Sequence, residues 1–195
     1  MAFDNMLRFI EFLGNFNLVE RTIMLKGQNK WESDSEHTFQ LAVFCWYLNE
    51  VWNIGLDTNM ILKYALVHDL VEVYAGDTYF YMKNSSEAEY KEQREKQAKE
   101  KIKNNFSEFV SLNKFIENYE KKVDEESKFV YAVDKILPVM NIYIDNGRAW
   151  KQFGVSLEML LDMKTSKITK SKHAYPFWSD FIKKLKENKG KLFNV

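Results

Sequence analysis

The sequence predicts an all-α protein, a single helical bundle. Three observations carry that expectation. Pro occurs twice and Gly seven times in 195 residues, so chain breakers are scarce. Apolar residues recur at helical spacing through most of the chain. No segment shows the period-two alternation of a half-buried strand.

The elements follow in order. A first helix is expected from Asp4 to Leu13, stopping at Gly14. A long irregular connection then runs through Arg21 and Trp31. Ser33-Asp34-Ser35-Glu36 opens a second helix, with Ser33 and Glu36 at capping-box spacing. Its apolar stripe is Leu41, Phe44, Cys45, Leu48, Val51 and Trp52. The third helix starts near Asp57-Thr58 and continues through Ile61, Leu62, Ala65, His68 and Glu72, with Gly76 as its cap. From Lys83 to Asn105 the chain is dense in Lys, Glu and Gln and reads as a solvated helix.

Another helix is expected over Ser107 to Lys121. The next begins near Asp124 and carries Phe129, Val130, Val133, Asp134, Leu137 and Met140. Pro138 should kink it or remove one backbone bond, and Gly147 ends it. Ser156 caps a helix bearing Leu157, Leu160, Leu161 and Met163, and a last helix follows Pro176. No repeat and no Pro/Gly/Ser linker marks a boundary, so residues 1–195 read as one domain.

Charge and cysteine usage exclude several functions. Lys+Arg and Asp+Glu are both 28, whereas a nonspecific nucleic-acid binder shows a strong basic excess. Cys45 is the only cysteine, so neither an intrachain disulfide nor a Cys-based zinc site can form. The opening Met1-Ala2-Phe3-Asp4-Asn5 lacks a basic region before an apolar run. No stretch approaches the roughly 20 apolar residues of a membrane span. The expectation is a cytoplasmic protein whose partners include neither a nucleic-acid polymer nor a membrane.

The chemistry lies in three separated groups: His37, the pair His68-Asp69, and Asp134. Two of the three histidines of the chain are in this set. Ionisable groups in core-forming helices are costly unless paired or bound to a cation. Two imidazoles and two carboxylates could hold one divalent metal and leave coordination positions open, which suits Mn²⁺, Co²⁺, Fe²⁺, Ni²⁺ or Zn²⁺ better than Ca²⁺. They could equally be hydrogen-bonded core residues. On one helix, His68, Asp69 and Glu72 would share a face, and Asp77 follows just past Gly76. Lys30, Lys83 and Lys135 could approach a phosphate, solvation being the simpler reading of Lys83.

His37, then His68-Asp69, then Asp134 resembles the signature of the HD-domain metal-dependent phosphohydrolases. Glu36-His37, the segment Ala65 to Glu72, Gly76-Asp77, Glu117-Asn118-Tyr119-Glu120 and the segment Glu126 to Lys135 are similar to the 5′-deoxynucleotidase branch. The resemblance spans about residues 21–143; the helices over 156–188 read as an elaboration. It implies one divalent metal (Co, Mn, Zn, Ni, Fe or Mg) held by His37, His68, Asp69 and Asp134. It implies hydrolysis of nucleoside 5′-monophosphates, typically 2′-deoxy ones, by a cytoplasmic homodimer.

Arg21 matches the family's phosphate-contacting Arg. Thr22 stands where one subgroup has a sugar-contacting Trp, and Trp31 could supply an aromatic wall instead. Glu72 would orient or deprotonate the attacking water. Asp77 would protonate the leaving 5′-oxygen or anchor the sugar hydroxyl. Other reactions of the superfamily are alternatives, namely phosphodiester, nucleoside triphosphate or alarmone hydrolysis. The last is disfavoured because Val73, not Asp, follows Glu72. A metal-stabilised helical module without turnover is the alternative from another class.

Overall fold

A computed structural model describes residues 3–76 and 85–194, with the side chains of 85–89 left aside. Eleven helices and one two-stranded ribbon are present among the described residues. Helix α1 (Phe3–Phe16) is followed by strands β1 (Glu20–Met24) and β2 (Trp31–Ser33). Then come α2 (Asp34–Val51), α3 (Thr58–Val67), α4 (Glu72–Ala75) and α5 (Ser85–Asn105). The rest is α6 (Val110–Lys121), α7 (Glu125–Ile144), α8 (Arg148–Gln152), α9 (Leu157–Ile168), α10 (Tyr175–Glu187) and α11 (Lys189–Leu192). The class is all-α, as expected.

Helix α7 is the centre of the bundle. It buries residues all round, among them Phe129, Val133, Ile136, Leu137 and Val139, as a helix enclosed by neighbours does. Helices α2, α3, α9 and α10 surround it and share one core with Tyr64, Trp150 and Trp178. A second cluster joins α1, α5 and α6 through Phe12, Phe16, Ile102, Phe106 and Ile116. Only Ala98, Ile102 and their neighbours bury a narrow seam of the otherwise polar α5.

Caps fix the two helices that matter most. Ser33 Oγ accepts from Glu36 N–H at 3.3 Å, and Glu36 Oε2 accepts from Ser33 N–H at 2.8 Å. This reciprocal pair starts α2 just before His37. Asp124 and Ser127 make the same kind of box at the start of α7. Tyr64 Oη donates to Asp124 Oδ2 at 2.5 Å and ties that start to α3.

Four expectations need correction. Helix α1 continues past Gly14 to Phe16, because Phe12 and Phe16 are buried together and packing outweighs the propensity cost of one glycine. The connection expected to be irregular contains the antiparallel ribbon, with Glu20 opposite Ser33 and Met24 opposite Trp31. These strands are too short, and β1 too irregular, to show alternation. The stripe of α2 stops at Leu48, since Val51 and Trp52 are exposed. Helix α3 ends at Val67, so His68, Asp69 and Glu72 do not share one continuous α-helix. Pro138 sits inside an unbroken α7, and only the backbone bond it would have made to Asp134 C=O is missing.

Candidate metal and phosphate site

The ribbon, α2, the turn after α3, and α7 bring the site together. Between Val67 and Tyr74 the backbone tightens to i→i−3 bonds: Leu70 N–H to Val67 O, Glu72 N–H to Asp69 O, and Tyr74 N–H to Val71 O. With about three residues per turn, side chains three apart eclipse one another. Asp69 and Glu72 therefore line the same cavity, although the continuous helix expected to align them is absent. Short stretches of this kind recur at functional sites.

His37, His68 and Asp69 offer ligand atoms that all lie within 4.8 Å of one another. The two rings are 5.4 Å apart at their centroids. Asp134 joins them from α7, its Oδ1 at 3.0 Å from His37 Nε2. Both histidines and Asp134 are buried, while the Asp69 side chain is 21% exposed and opens toward the cavity.

The donor chemistry fits a cation. His68 Nδ1 donates to Ala65 C=O at 2.7 Å, because a carbonyl can only accept. That fixes the tautomer and turns the Nε2 lone pair toward Asp69 Oδ2 at 2.9 Å. His68 Nε2 is buried and makes no hydrogen bond of good geometry. A lone pair and a carboxylate oxygen so close require a proton or a metal ion. Burial opposes charge on His68, but the Asp69 carboxylate outweighs it and raises the imidazole above its usual value. Positive charge is thus favoured at this point. Burial, then the Arg21 charge, push His37 down to about 4, which leaves it neutral and able to ligate.

A network of ion pairs surrounds these four residues. Arg21 on β1 reaches Asp69 Oδ2 at 2.6 Å, Asp34 Oδ1 at 3.1 Å and Glu32 Oε2 at 3.3 Å. Lys135 Nζ lies 2.5 Å from Asp134 Oδ2. Burial would raise the carboxyls of Asp69 and Asp134. His68 and Arg21 overcome it at Asp69, and Lys135 with His37 overcomes it at Asp134, so both are held low. Glu32 lacks enough compensation: burial outweighs Arg21 and lifts it to about 7.

The adjoining cavity has a volume of about 170 Å³. Arg21, Thr22, Asp69, Glu72, Asp134 and Lys135 all border it. Trp31 does not border it; it is half-buried on β2, opposite Met24. Lys30 instead pairs with Glu36 at 3.1 Å on the surface. Asp77 and Lys83 lie outside the described residues. Sequence reasoning missed Glu32 and Asp34 as partners of Arg21, and Lys91, Lys164 and Lys167 as cavity residues. Glu32 and Asp34 flank the capping Ser33, a place where acids usually serve the helix end. Lys91 sits in the helix that reads as solvated, and Lys164 and Lys167 sit on a helix whose only signals are its cap and apolar stripe.

A sequence model of the HD domain matches residues 13–175. The chain belongs to the HD domain family. Its curated relatives include the mouse 5′-deoxynucleotidase HDDC2, 30% identical over 133 residues, or 67% of this chain and 64% of that protein. The zebrafish 5′-deoxynucleotidase HDDC2 is 32% identical over 68% of this chain and 66% of its own length. The chain thus spans just under two thirds of these two relatives. Among solved structures, a predicted metal-dependent phosphohydrolase from Magnetospirillum magnetotacticum superposes with a TM-score of 0.81. The match covers 98% of this chain and 95% of that one at 20% identity, which shows a shared fold. Within this fold His37, His68 and Asp69 form a cluster whose ligand atoms are close enough together to hold a metal ion.

Proposed function

We propose that this protein is a metal-dependent phosphoric monoester hydrolase that converts (deoxy)ribonucleoside 5′-monophosphates to nucleoside and phosphate. One observation carries the reading: His37, His68, Asp69 and Asp134 converge beside a small cavity rimmed by cations. The curated relatives named 5′-deoxynucleotidase support the substrate class.

His37, His68, Asp69 and Asp134 would hold one divalent ion, of the Co, Mn, Zn, Ni, Fe or Mg type. When bound, it supplies Lewis acidity that polarises a phosphoryl oxygen and acidifies water. Arg21 binds the phosphate; its guanidinium is kept charged by Asp69, Asp34 and Glu32. Glu72, on the rim of the cavity, orients the attacking water and accepts its proton. Two roles are open to Asp77: protonating the leaving 5′-oxygen or anchoring a sugar hydroxyl. Thr22, which lines the cavity, would contact the sugar. Trp31 takes part in this reading only through the ribbon that carries Arg21 and Glu32.

The whole chain acts as one unit here, since α9 and α10 share the core of α2, α3 and α7. It works as a homodimer, formed through an apolar groove of about 750 Å³ between α1, α2, α3 and α6. Phe39 and Leu66 on its rim are 72% and 53% exposed. A self-complementary apolar face is what a two-fold dimer needs. No described helix is long and apolar enough to cross a membrane. A cytoplasmic location follows from the substrate proposed.

Protein stripped with chelator should release no phosphate from dAMP or dCMP and should regain activity with Co²⁺ or Mn²⁺. Full activity without metal contradicts the reading. A panel of monophosphates, triphosphates and phosphodiesters separates it from other HD reactions. Melting on chelation without turnover on any phosphomonoester would instead favour a metal-stabilised binding module.

A further inference from the structure

Helix α9 belongs to the C-terminal part of the chain, outside the segments that resemble the nucleotidases, yet it reaches the cavity. Lys164 and Lys167 stand three residues apart on α9, share a face, and both line the 170 Å³ space with Arg21, Lys135 and Lys91. Neither lysine is fully exposed. Holding lysines here is costly: burial, then the charge of Lys135, lower Lys164 to about 7. Lys164 is attracted by Asp134 and repelled by Lys135, Lys167 and Arg21.

The cavity wall carries Arg21, Lys91, Lys135, Lys164 and Lys167 against Asp69, Glu72 and Asp134. Part of that positive charge is answered behind the wall, Arg21 by Glu32 and Asp34 and Lys91 by Glu95. A divalent ion at the cluster would add to the positive charge that an entering phosphomonoester dianion meets, and Lys164 and Lys167 bring theirs from α9.

We propose that Lys164, supported by Lys167, is a substrate-anion contact that gives this site its preference for dianionic phosphomonoesters. The proposal rests on the hydrolase reading above and adds to it a specificity-determining pair from α9. A phosphodiester carries one negative charge, so it gains less from these lysines than a phosphomonoester does.

Calorimetry with inorganic phosphate on the Mn²⁺-loaded protein tests this without turnover. Lys164→Met should weaken phosphate binding roughly 10- to 100-fold, the loss expected for one charge-assisted contact. KM for dAMP should rise by a similar factor, with metal content unchanged and kcat much less affected. Lys164→Arg should restore most of the affinity, and Lys167→Met should show a smaller loss of the same kind. Unchanged phosphate affinity and KM in folded Lys164→Met overturns the proposal. So does a loss of metal together with phosphate, which would make Lys164 a support of the metal cluster. Wild-type protein that binds phosphate but hydrolyses no nucleotide refutes the hydrolase reading instead, and leaves the role of Lys164 to be read from calorimetry.

Discussion

Two cavities lie back to back across α2 and the end of α3, and they differ in nearly every respect. The larger, about 750 Å³, has Lys63 as the one charged side chain on its wall among the described residues. The smaller, about 170 Å³, is bordered by five cations and three carboxylates. Neighbouring residues serve opposite sides. His37 turns to Asp134 while Thr38 and Phe39 line the groove. Asp69 lines the charged cavity while Leu70 lines the apolar one. Size and apolarity usually mark a ligand pocket. Here the large apolar groove carries none of the His/Asp cluster, and the small charged cavity borders it instead.

The comparison can be broken by substitutions on either side. The largest effect is expected at Asp69, which touches both His68 and Arg21. Asp69→Ala should remove bound metal and reduce phosphate release to the detection limit; retained metal with activity would place the reaction elsewhere. Glu72→Gln should keep metal and lower kcat roughly a hundred- to ten-thousand-fold, the usual contribution of a positioned base. Metal analysis beside the kinetics distinguishes the two variants.

On the apolar side, if the groove is the proposed dimer interface, Leu66→Glu should weaken self-association by on the order of 3 kcal/mol, since it would set like charges against each other. Analytical ultracentrifugation would show monomer, with metal content as in wild type. A Leu66→Glu protein that remains dimeric would move the interface off this groove.

The smallest effect concerns pH. In the fold His37 is neutral down to about 4, whereas an unfolded imidazole takes a proton near 6.5. The unfolded chain therefore binds more protons as pH falls from 6.5 to 4, and stability is lost across that window, by about 3 kcal/mol. Glu32 acts in the opposite sense: its raised value favours the fold on the acid side, a contribution lost as pH rises from 4.5 through about 7. Denaturant titrations of chelator-treated His37→Asn should show less acid destabilisation than wild type. Equal slopes would mean that His37 is protonated in the fold. Leu66→Glu, on the other side, should leave the His37 contribution intact.

The sequence made α2 and α7 legible because their signals are local. The Ser33/Glu36 box starts α2 and places His37 in its first turn, and Asp124 starts α7 ten residues before Asp134. His68-Asp69 and Glu72 were also readable as a group, but for a reason that proved different. A continuous helix was expected, whereas the backbone tightens there and aligns Asp69 with Glu72 by its threefold turn. What stayed hidden depends on distant partners. The ribbon needs Glu20 to meet Ser33 and Met24 to meet Trp31 across a turn at Gly27, which has φ +69. The burial of Glu32 and Asp34 is set by Arg21, and Lys164 gains meaning only once α9 packs on α7.

The proposed ion would sit where side chains from α2, the turn after α3, and α7 meet. Anomalous scattering from a cobalt-loaded crystal reads this directly. One peak per chain, within coordination distance of His37, His68, Asp69 and Asp134 together, is the result expected. A peak bound elsewhere, or no peak beside these four side chains at full cobalt occupancy of the protein, contradicts it.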